Sequence, residues 1–428
     1  MNAYYLGHYN VCVEDPARDK MAIYNTMTSA MVRLPARDGK PLINTLSASD
    51  ISQLHRLMIL VPSYEHEQRM FEYWSRRNRF GHRSLVATLF ATRHCNLKCT
   101  YCYQAQEALG VPIQDMSEEV SETTFDWIER YALARQISNV HLILYGGEPL
   151  ANPSFIAVLR ERMDAMMHRT NVRYSSYLVT NATMVSSEIL DDLLKCHLVH
   201  AQVTLDGPES LHDSRRRKAD GSGSYAETVG GLQLLAEACD ISIRCNVEPN
   251  TADEVRMLIR DLKDLGVAVR PNSFSIAGTC YCSHDAPQMA SRFSAEEFAI
   301  YAVGLLRYAR DHGFVIRHPY RQSPCFAARE GSFTFDVDGG IYLCSQMAGY
   351  EVARVGDVRQ VDLKDAYFQL LTLDARMAHC CECQYLPICL GGCRASSVRE
   401  TGKLDSTVCI RDYYDAVVPR MIGLLSEN

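Results

Sequence analysis

Three cysteines stand close together in the segment RHCNLKCTYCYQ. Cys95, Cys99 and Cys102 have the spacing C-x3-C-x2-C. Three thiolates can hold three irons of a four-iron, four-sulfur cluster, and the fourth iron is then open to chelate the amino and carboxylate groups of a small molecule. A structural zinc site competes for this assignment, but it needs four ligands, usually from paired C-x2-C units, and only His94 is nearby. The spacing therefore favours a cluster with one open iron.

Glycine-containing and polar segments follow the next predicted strands of the chain. GGEP follows the strand HLILY, TNAT follows the third strand, and LDGP follows the fourth. The carboxyl ends of parallel strands meet at one face of an α/β barrel, so these segments should lie together. Taken alone, GGEP could be an ordinary glycine turn, and the arginine run 215–217 could be a solvated basic loop. The residues concerned are Gly146, Gly147, Glu148, Pro149, Thr180, Asn181 and Asp206 at the strand ends and Arg216 in the arginine run.

Together with the cysteine loop, these segments resemble the radical S-adenosylmethionine (radical SAM) superfamily over residues 85–270. The resemblance implies that the glycines let the backbone approach the methionine moiety, that Glu148 meets its ammonium group and that Arg216 contacts its carboxylate. Ala182 replaces the glycine of the family's TNGT segment. The resemblance also implies that a reduced cluster cleaves S-adenosylmethionine, and that the resulting 5′-deoxyadenosyl radical abstracts a hydrogen atom from an unactivated C–H bond.

A second set of cysteines follows the predicted barrel, with the spacings C-x13-G-x4-C and C-x2-C-x5-C-x3-C and one further cysteine. A zinc ribbon would explain the C-x2-C pair but not the longer intervals. The seven spacings resemble the SPASM domain, a C-terminal extension that carries two auxiliary iron–sulfur clusters. The resemblance assigns Cys325, Cys344 and Cys393 to the first auxiliary cluster, and Cys380, Cys383, Cys389 and Cys409 to the second.

The first auxiliary set is one ligand short. Relatives with a complete set have another cysteine a few residues after the first, where this chain reads FAAREG. Two expectations stay open. The cluster has an open iron that can bind a substrate thiolate, or it takes a fourth ligand from Cys280, Cys282 or Cys381.

SPASM relatives mostly modify peptides or protein side chains. The resemblance therefore implies a maturase with three [4Fe-4S] clusters and S-adenosylmethionine, which forms thioether or carbon–carbon crosslinks in a ribosomally made precursor peptide. It implies a low-potential electron donor such as flavodoxin or ferredoxin. The alternatives are a sulfatase-type maturase that makes formylglycine, a small-molecule radical enzyme, and a non-catalytic iron–sulfur electron carrier, which has no need of GGEP. Candidates for a general acid or base, by location alone, are Ser345, Tyr342 and His284.

In sulfatase-type relatives, an aspartate directly after the second SPASM cysteine acts as the base. This chain has Ser345 at that position. The formylglycine reading is therefore weaker than the crosslinking one.

The elements that position these residues alternate between strand and helix. Apolar runs predict buried parallel strands, and amphipathic patterns between them predict helices. We expect an α/β fold, a parallel partial (β/α)6 barrel over 84–313, with a small N-terminal α+β block over 1–83 and a cysteine-rich iron–sulfur domain over 314–428. The predicted strands are Leu85–Ala91, Val140–Tyr145, Ser176–Thr180, His200–Leu205, Ile241–Val247 and Val267–Phe274. The predicted helices are Ser117–Arg135, Pro153–His168, Ser186–Cys196, Tyr225–Ala238 and Ala252–Leu265.

The N-terminal block reads as a hairpin followed by two helices. The segments Tyr4–Val13 and Met21–Leu34 predict strands, and Ser47–Leu60 and Glu65–Arg79 predict helices. In shape this block resembles the small leader-peptide recognition elements of peptide-modifying enzymes. An extension that only packs on the core explains the same pattern.

Composition excludes several classes of protein. The 428 residues are 47% hydrophobic and 22% charged, with a formal net charge of −7, which gives no electrostatic footprint for nucleic acid or an anionic membrane. No apolar run has the length of a membrane span and the N-terminus lacks a signal-peptide pattern, so we expect a cytoplasmic protein. Seventeen cysteines without such a signal indicate metal ligands rather than disulfides.

Overall fold

The computed structural model describes residues 4–15, 19–81, 83–102, 104, 112–267, 273–278, 293–316, 325–373 and 380–427. Within them the chain is an α/β protein, as predicted. The strands are Tyr5–Leu6 (β1), Asn10–Asp15 (β2), Lys20–Asn25 (β3), Met31–Arg37 (β4), Lys40–Pro41 (β5), Leu60–Val61 (β6), Ser84–Thr92 (β7), Leu97–Cys99 (β8), Asn139–Gly146 (β9), Arg173–Thr180 (β10), Leu198–Thr204 (β11), Arg216–Lys218 (β12), Asp240–Val247 (β13), Ser273–Gly278 (β14), Ser332–Phe335 (β15), Gly340–Tyr342 (β16) and Gly356–Asp357 (β17).

Helices connect the strands and cover the outside of the sheet. Their N-termini are marked by serine side chains, as at Ser117 and Ser186, which accept hydrogen bonds from free backbone N–H groups. The helices are Ala48–Arg56 (α1), Tyr64–Phe80 (α2), Glu118–Ala134 (α3), Pro153–Thr170 (α4), Ser187–Lys195 (α5), Glu209–Arg215 (α6), Tyr225–Ala238 (α7), Ala252–Asp264 (α8), Ala295–Asp311 (α9), Asp365–Thr372 (α10), Leu386–Cys389 (α11), Arg394–Thr401 (α12) and Arg411–Leu425 (α13).

The central sheet has the strand order β14-β13-β11-β10-β9-β7-β15-β16-β17 among the described residues. The six strands from β14 to β7 are parallel neighbours. Every second side chain is buried along β9 and β10, and most side chains of β7 are buried. This arrangement confirms the predicted partial barrel. The sixth strand begins later than predicted, at Ser273, and residues 268–272 lie outside the described part of the chain.

The cysteine-rich region adds strands to the barrel sheet. β15 pairs in parallel with β7, for example Thr334 with Thr88, and β16 and β17 continue outward as antiparallel strands. This pairing covers the edge of the partial barrel that would otherwise expose unpaired N–H and C=O groups.

The N-terminal block has a four-stranded antiparallel sheet in the order β2-β3-β4-β5, with α1 and α2 after it. Tyr9 and Phe71 of this block pack against Leu386 in one apolar cluster. The Thr26 hydroxyl donates a hydrogen bond to the Gln384 carbonyl at 2.6 Å. The block therefore rests on the segment that contains part of the second auxiliary cysteine set.

None of the described helices combines the length and the apolar composition that crossing a membrane requires.

Candidate functional site

A cavity of about 260 Å³ opens at the carboxyl ends of the barrel strands. Side chains that point inward from β9, β10, β11 and β13 form its wall, and the cysteine loop forms its rim. This is where ligands bind in parallel α/β barrels. The described residues that line it are Cys95, Cys99, Tyr101, Cys102, Gln104, Tyr145, Gly146, Gly147, Val179, Thr180, Asn181, Gln202, Thr204, Arg216, Arg244, Asn246 and Gln346.

The three predicted cluster cysteines all border this cavity. β8 positions the loop by pairing with β12, so that Cys99 lies opposite Arg216. Among the described residues, no group of three His, Cys, Asp or Glu side chains converges as at a single metal ion. Three thiols spread around a cavity with a cation beside them fit a cluster with three protein ligands.

Gly146 and Gly147 are required where the end of β9 crosses the cysteine loop. Gly146 has a φ of +143°, and a Cβ there would lie 2.2 Å from the Thr92 carbonyl oxygen. A Cβ on Gly147 would lie 2.1 Å from the His94 carbonyl oxygen. Since both clashes are with backbone, no side chain fits, and the backbone itself lines the cavity.

Glu148 is fully buried directly below this wall. Its carboxylate accepts hydrogen bonds from the Thr180 hydroxyl and the Asn181 backbone N–H, each at 2.8 Å. Burial raises the pKa of Glu148 to about 6, against the lowering effect of these hydrogen bonds. Glu148 and the buried Pro149 do not line the described cavity, whereas Thr180 and Asn181 do.

Ala182 takes the place of the family's glycine and keeps its backbone geometry. Its φ is +63°, in the left-handed region. The Ala182 N–H donates to the Thr180 hydroxyl at 2.9 Å, and the side chain is fully buried. The departure from the family pattern therefore leaves Thr180 and Asn181 in position at the cost of some backbone strain.

A hydrogen-bonded cluster joins the cysteine loop to the barrel. The Tyr101 hydroxyl donates to Asp206 and accepts from Arg216 at 2.7 Å and from Asn246 at 3.1 Å. Burial and then the Asp206 charge raise the pKa of Tyr101 well above its usual value, so the phenol stays protonated. Asp206 is fully buried and acts through Tyr101 and Asn246 rather than from the cavity wall.

The arginine run separates into three environments. Arg215 is buried and pairs with Glu248 at 2.8 Å, with its guanidinium over the Tyr101 ring. Arg216 is buried and reaches the cavity. A solvated basic residue is found only at Arg217, which is exposed.

The cysteines assigned to the second auxiliary cluster lie around one cavity. Cys380, Cys383, Cys389 and Cys409 line one cavity of about 350 Å³, alongside Tyr385. The Cys383 N–H donates to the Cys380 carbonyl at 3.0 Å, which makes a tight turn between these two cysteines. Four thiols around one cavity are what a [4Fe-4S] cluster requires.

The first auxiliary set lies at three turn and helix ends. Cys325 precedes the short 3₁₀ turn Phe326–Ala328, Cys344 precedes Ser345–Met347, and Cys393 is the N-cap of α12. Of the proposed fourth ligands, Cys381 lies beside Cys380 and near Tyr64 of the N-terminal block. Cys280, Cys282 and His284 lie outside the described residues.

The other acid–base candidates are not among the described residues of the cavity wall. Tyr342 is 2% exposed and packs in the main core, where burial raises its pKa to about 12. Ser345 begins a 3₁₀ turn, and its neighbour Gln346 reaches the cavity instead.

Sequence reasoning missed the inward-facing residues of the wall. These residues stand at alternate positions of two predicted strands. The alternation of polar and apolar residues along β11 and β13 was therefore the sequence signal that could have identified them. The residues concerned are Gln202, Thr204, Arg244 and Asn246.

The sequence profile of the Radical SAM superfamily matches residues 89–266. The matched segments cover about half the length of the first two curated relatives, 48% and 46%. The Serine-type anaerobic sulfatase-maturating enzyme of Klebsiella aerogenes is 24% identical over 323 residues, 70% of this chain and 77% of that enzyme.

Two solved structures have a similar fold. AnSMEcpe with bound AdoMet and Kp18Cys peptide has a TM-score of 0.61 at 19% identity, over 81% of this chain and all of its own. Streptococcus suis SuiB bound to precursor peptide SuiA has a TM-score of 0.56 at 13% identity, over 95% of this chain and 99% of its own. A span of 95% of this chain includes most of residues 1–83.

Proposed function

Because this chain belongs to the radical SAM superfamily and has a SPASM-like C-terminal region, we propose that it is a maturase of a ribosomally synthesised peptide, forming thioether or carbon–carbon crosslinks. The observation that carries this proposal is the N-terminal block, folded against the segment of the second auxiliary cysteine set. The likeness to SuiB, a protein solved with a precursor peptide, extends over this block.

The cavity residues have separate tasks in this reaction. Cys95, Cys99 and Cys102 would hold the cluster. When bound, cluster and S-adenosylmethionine supply a carbon radical that takes a hydrogen atom from the peptide. The backbone at Gly147 gives the methionine moiety room to approach, and Arg216 supplies a cation beside Cys99.

The N-terminal block, residues 1–83, would recognise the leader part of the peptide. Its sheet ends at β2 among the described strands, and a strand edge offers backbone N–H and C=O groups to an extended peptide. Residues 84–313 would form the radical domain, and residues 314–428 the auxiliary-cluster domain. A block that only packs on the core would leave peptide binding unchanged when its exposed surface is altered.

The further partners follow from the same proposal. Two auxiliary clusters, held by the two cysteine sets, would bring the total to three [4Fe-4S] clusters. The first set would have an open iron or take a fourth ligand from Cys280, Cys282 or Cys381. A flavodoxin or ferredoxin would supply low-potential electrons in the cytoplasm.

A second candidate function is the oxidation of a serine or cysteine to formylglycine. The match to the sulfatase-maturating enzyme of Klebsiella aerogenes over 70% of the chain favours it. Ser345 stands where the sulfatase-type relatives have their base, which weakens it. A non-catalytic electron carrier is a third candidate, but it has no use for a cavity lined by Gly146, Gly147 and Arg216.

Product analysis tests these three functions. Reconstituted, reduced protein is incubated with S-adenosylmethionine and peptides encoded by short reading frames beside its gene, and separately with a serine- or cysteine-containing sulfatase peptide. We expect 5′-deoxyadenosine and a crosslinked peptide that does not react with hydrazide. Cys95→Ala should abolish both products, and Cys239→Ala, at a buried cysteine outside the cluster sets and the cavity lining, should keep them. A hydrazide-reactive product would favour formylglycine formation, and no 5′-deoxyadenosine with any peptide would favour the carrier.

A further inference from the structure

Two arginines reach the cavity, and only one of them has its charge balanced. Arg216 donates to Tyr101, which in turn donates to Asp206, so a carboxylate stands behind this cation. Arg244 lies half-buried on β13 and its Nε donates to the Asn246 side-chain carbonyl at 3.1 Å. Among the described residues, no carboxylate forms an ion pair with Arg244. Its terminal guanidinium nitrogens therefore remain available in the cavity.

The nearby Glu148 carboxylate already has hydrogen-bond partners and does not pair with Arg244. The Glu148 carboxylate accepts from Thr180, Asn181 and the Leu150 N–H. It is fully buried behind the wall. An unbalanced cation in a partly dry cavity favours an anion, and a planar guanidinium pairs best with the two oxygens of a carboxylate.

Neutral donors surround Arg244. Thr204 is its register partner on β11, and Gln202 lies one inward-facing position earlier on the same strand. Gln346 enters the cavity from the cysteine-rich region, where its side-chain oxygen accepts from Arg399 at 3.2 Å. Its amide nitrogen is then left to donate. One cation and three neutral polar side chains suit a carboxylate.

Arg244 and Arg216 reach the cavity from different strands. Arg216 lies on β12 and is paired with Cys99 of the cysteine loop. The backbone of Arg244 lies two residues before Asn246 on β13, roughly 7 Å deeper in the barrel, but its Nε extends back to the Asn246 side chain, which also contacts Tyr101. A carboxylate at Arg244 would therefore lie at the depth of the Asn246 side chain, in the same cavity as the cysteine loop.

We propose that Arg244 forms a carboxylate subsite that selects an aspartate or glutamate side chain of the peptide beside the residue to be modified. This inference rests on the proposed peptide-modifying function and assigns the substrate class of its cavity. A carboxylate at this depth also has a second source, the cofactor's own methionine carboxylate, and the experiment separates the two.

The test uses the full-length, cluster-reconstituted protein and two small probes. N-acetylglutamate N-methylamide has the side-chain carboxylate, and N-acetylglutamine N-methylamide is its neutral isostere. Binding is followed by saturation-transfer NMR, and S-adenosylmethionine affinity is measured by equilibrium dialysis. Arg244→Gln removes the charge, Arg244→Lys keeps it without the bidentate geometry, and Arg217→Gln alters an exposed arginine of the same barrel.

We expect the acidic probe to bind the wild type at least tenfold better than its amide. Arg244→Gln should lose that preference, Arg244→Lys should keep part of it, and Arg217→Gln should keep all of it. Iron content and S-adenosylmethionine affinity should stay within twofold of the wild type in all three variants.

Two results overturn the subsite. One is equal binding of the acidic and neutral probes by the wild type. The other is a tenfold loss of S-adenosylmethionine affinity in Arg244→Gln with the probe preference intact, which assigns the arginine to the cofactor. Failure of the maturase proposal is recognised separately, since the probes would still bind through Arg244 although no peptide is modified.

Discussion

Replacing Arg394 by methionine should release the proposed second auxiliary cluster while the proposed cluster at Cys95 stays in place. Arg394 is only 6% exposed and begins α12, directly after Cys393. Its guanidinium donates to the carbonyls of Leu404 and Ser406, each at 3.2 Å, and to the Gly391 carbonyl. It therefore ties the loop before Cys393 to the loop before Cys409.

The size of the effect follows from these bonds. A hydrogen bond with a charged partner contributes about 1.5 to 3 kcal/mol, and a buried acceptor left without a donor costs about 1 to 3 kcal/mol. Methionine has a similar length but no donor, so the Leu404 and Gly391 carbonyls lose the arginine donor, whereas the Ser406 carbonyl keeps its hydrogen bond from the Ser397 hydroxyl at 2.8 Å. Because such terms are not additive, we expect a local destabilisation of roughly 4 kcal/mol. This is large against a total stability of about 5 to 15 kcal/mol, but it acts on two loops rather than on the barrel.

The assay combines iron analysis with hydrogen exchange. After identical reconstitution, the Arg394→Met variant should contain less iron than the wild type, by the amount that one cluster holds. Its backbone amides in residues 404–409 should also exchange faster. Arg394→Lys, which keeps the charge but reaches fewer carbonyls, should be intermediate. Arg420→Met, at a partly exposed arginine that pairs with Glu296, should match the wild type. Full iron content with unchanged exchange in Arg394→Met would refute the proposed role of this arginine.

Three further substitutions test the site and its surroundings. Burial lowers the pKa of His212 to about 4. Between pH 6.5 and 4 only the unfolded state therefore binds this proton, so lowering the pH across this range should reduce the free energy of unfolding by roughly 3 kcal/mol. His212→Gln should flatten the pH dependence of the urea midpoint. Gly147→Ala should weaken S-adenosylmethionine binding at least tenfold in equilibrium dialysis, because the new Cβ would clash with the His94 carbonyl. Gly230→Ala is the control and should bind normally, because a Cβ at this helical position meets only open space. Glu148→Gln should keep the iron content but weaken S-adenosylmethionine binding about tenfold, which is the effect of losing one charge-assisted hydrogen bond. An unchanged affinity would exclude a role for this carboxylate in cofactor binding.

The placement of the candidate cluster cysteines at the cavity follows from local information. The loop Cys95–Cys102 holds its three thiols within a few residues of one another, and all three border the same cavity. The same reasoning applies to Cys380 and Cys383, which a single tight turn joins. The strands were predictable for a related reason, since a buried parallel strand reads as a continuous apolar run.

The cavity wall was not predictable in the same way. Alternation along β13 indicates which side chains share a face, but which of them meet residues of the neighbouring strands in one cavity depends on the register with β11 and β14. Arg244 and Arg216 look alike in the sequence, and only the position of Asp206 behind Tyr101 separates a balanced cation from an unbalanced one. Charge balance is a property of the three-dimensional arrangement.

The predicted boundary at residue 314 between the barrel and the cysteine-rich region does not separate two independent sheets. β15 pairs with β7 in the barrel sheet, so residues 332–335 share a hydrogen-bonded ladder with the strand that precedes Cys95. A rigid ladder fixes the distance between the cysteine loop and the auxiliary cysteines far better than a flexible linker would. Electron transfer between the proposed clusters would need such a fixed distance. The merged sheet would therefore serve the proposed chemistry as well as covering the open edge of the barrel.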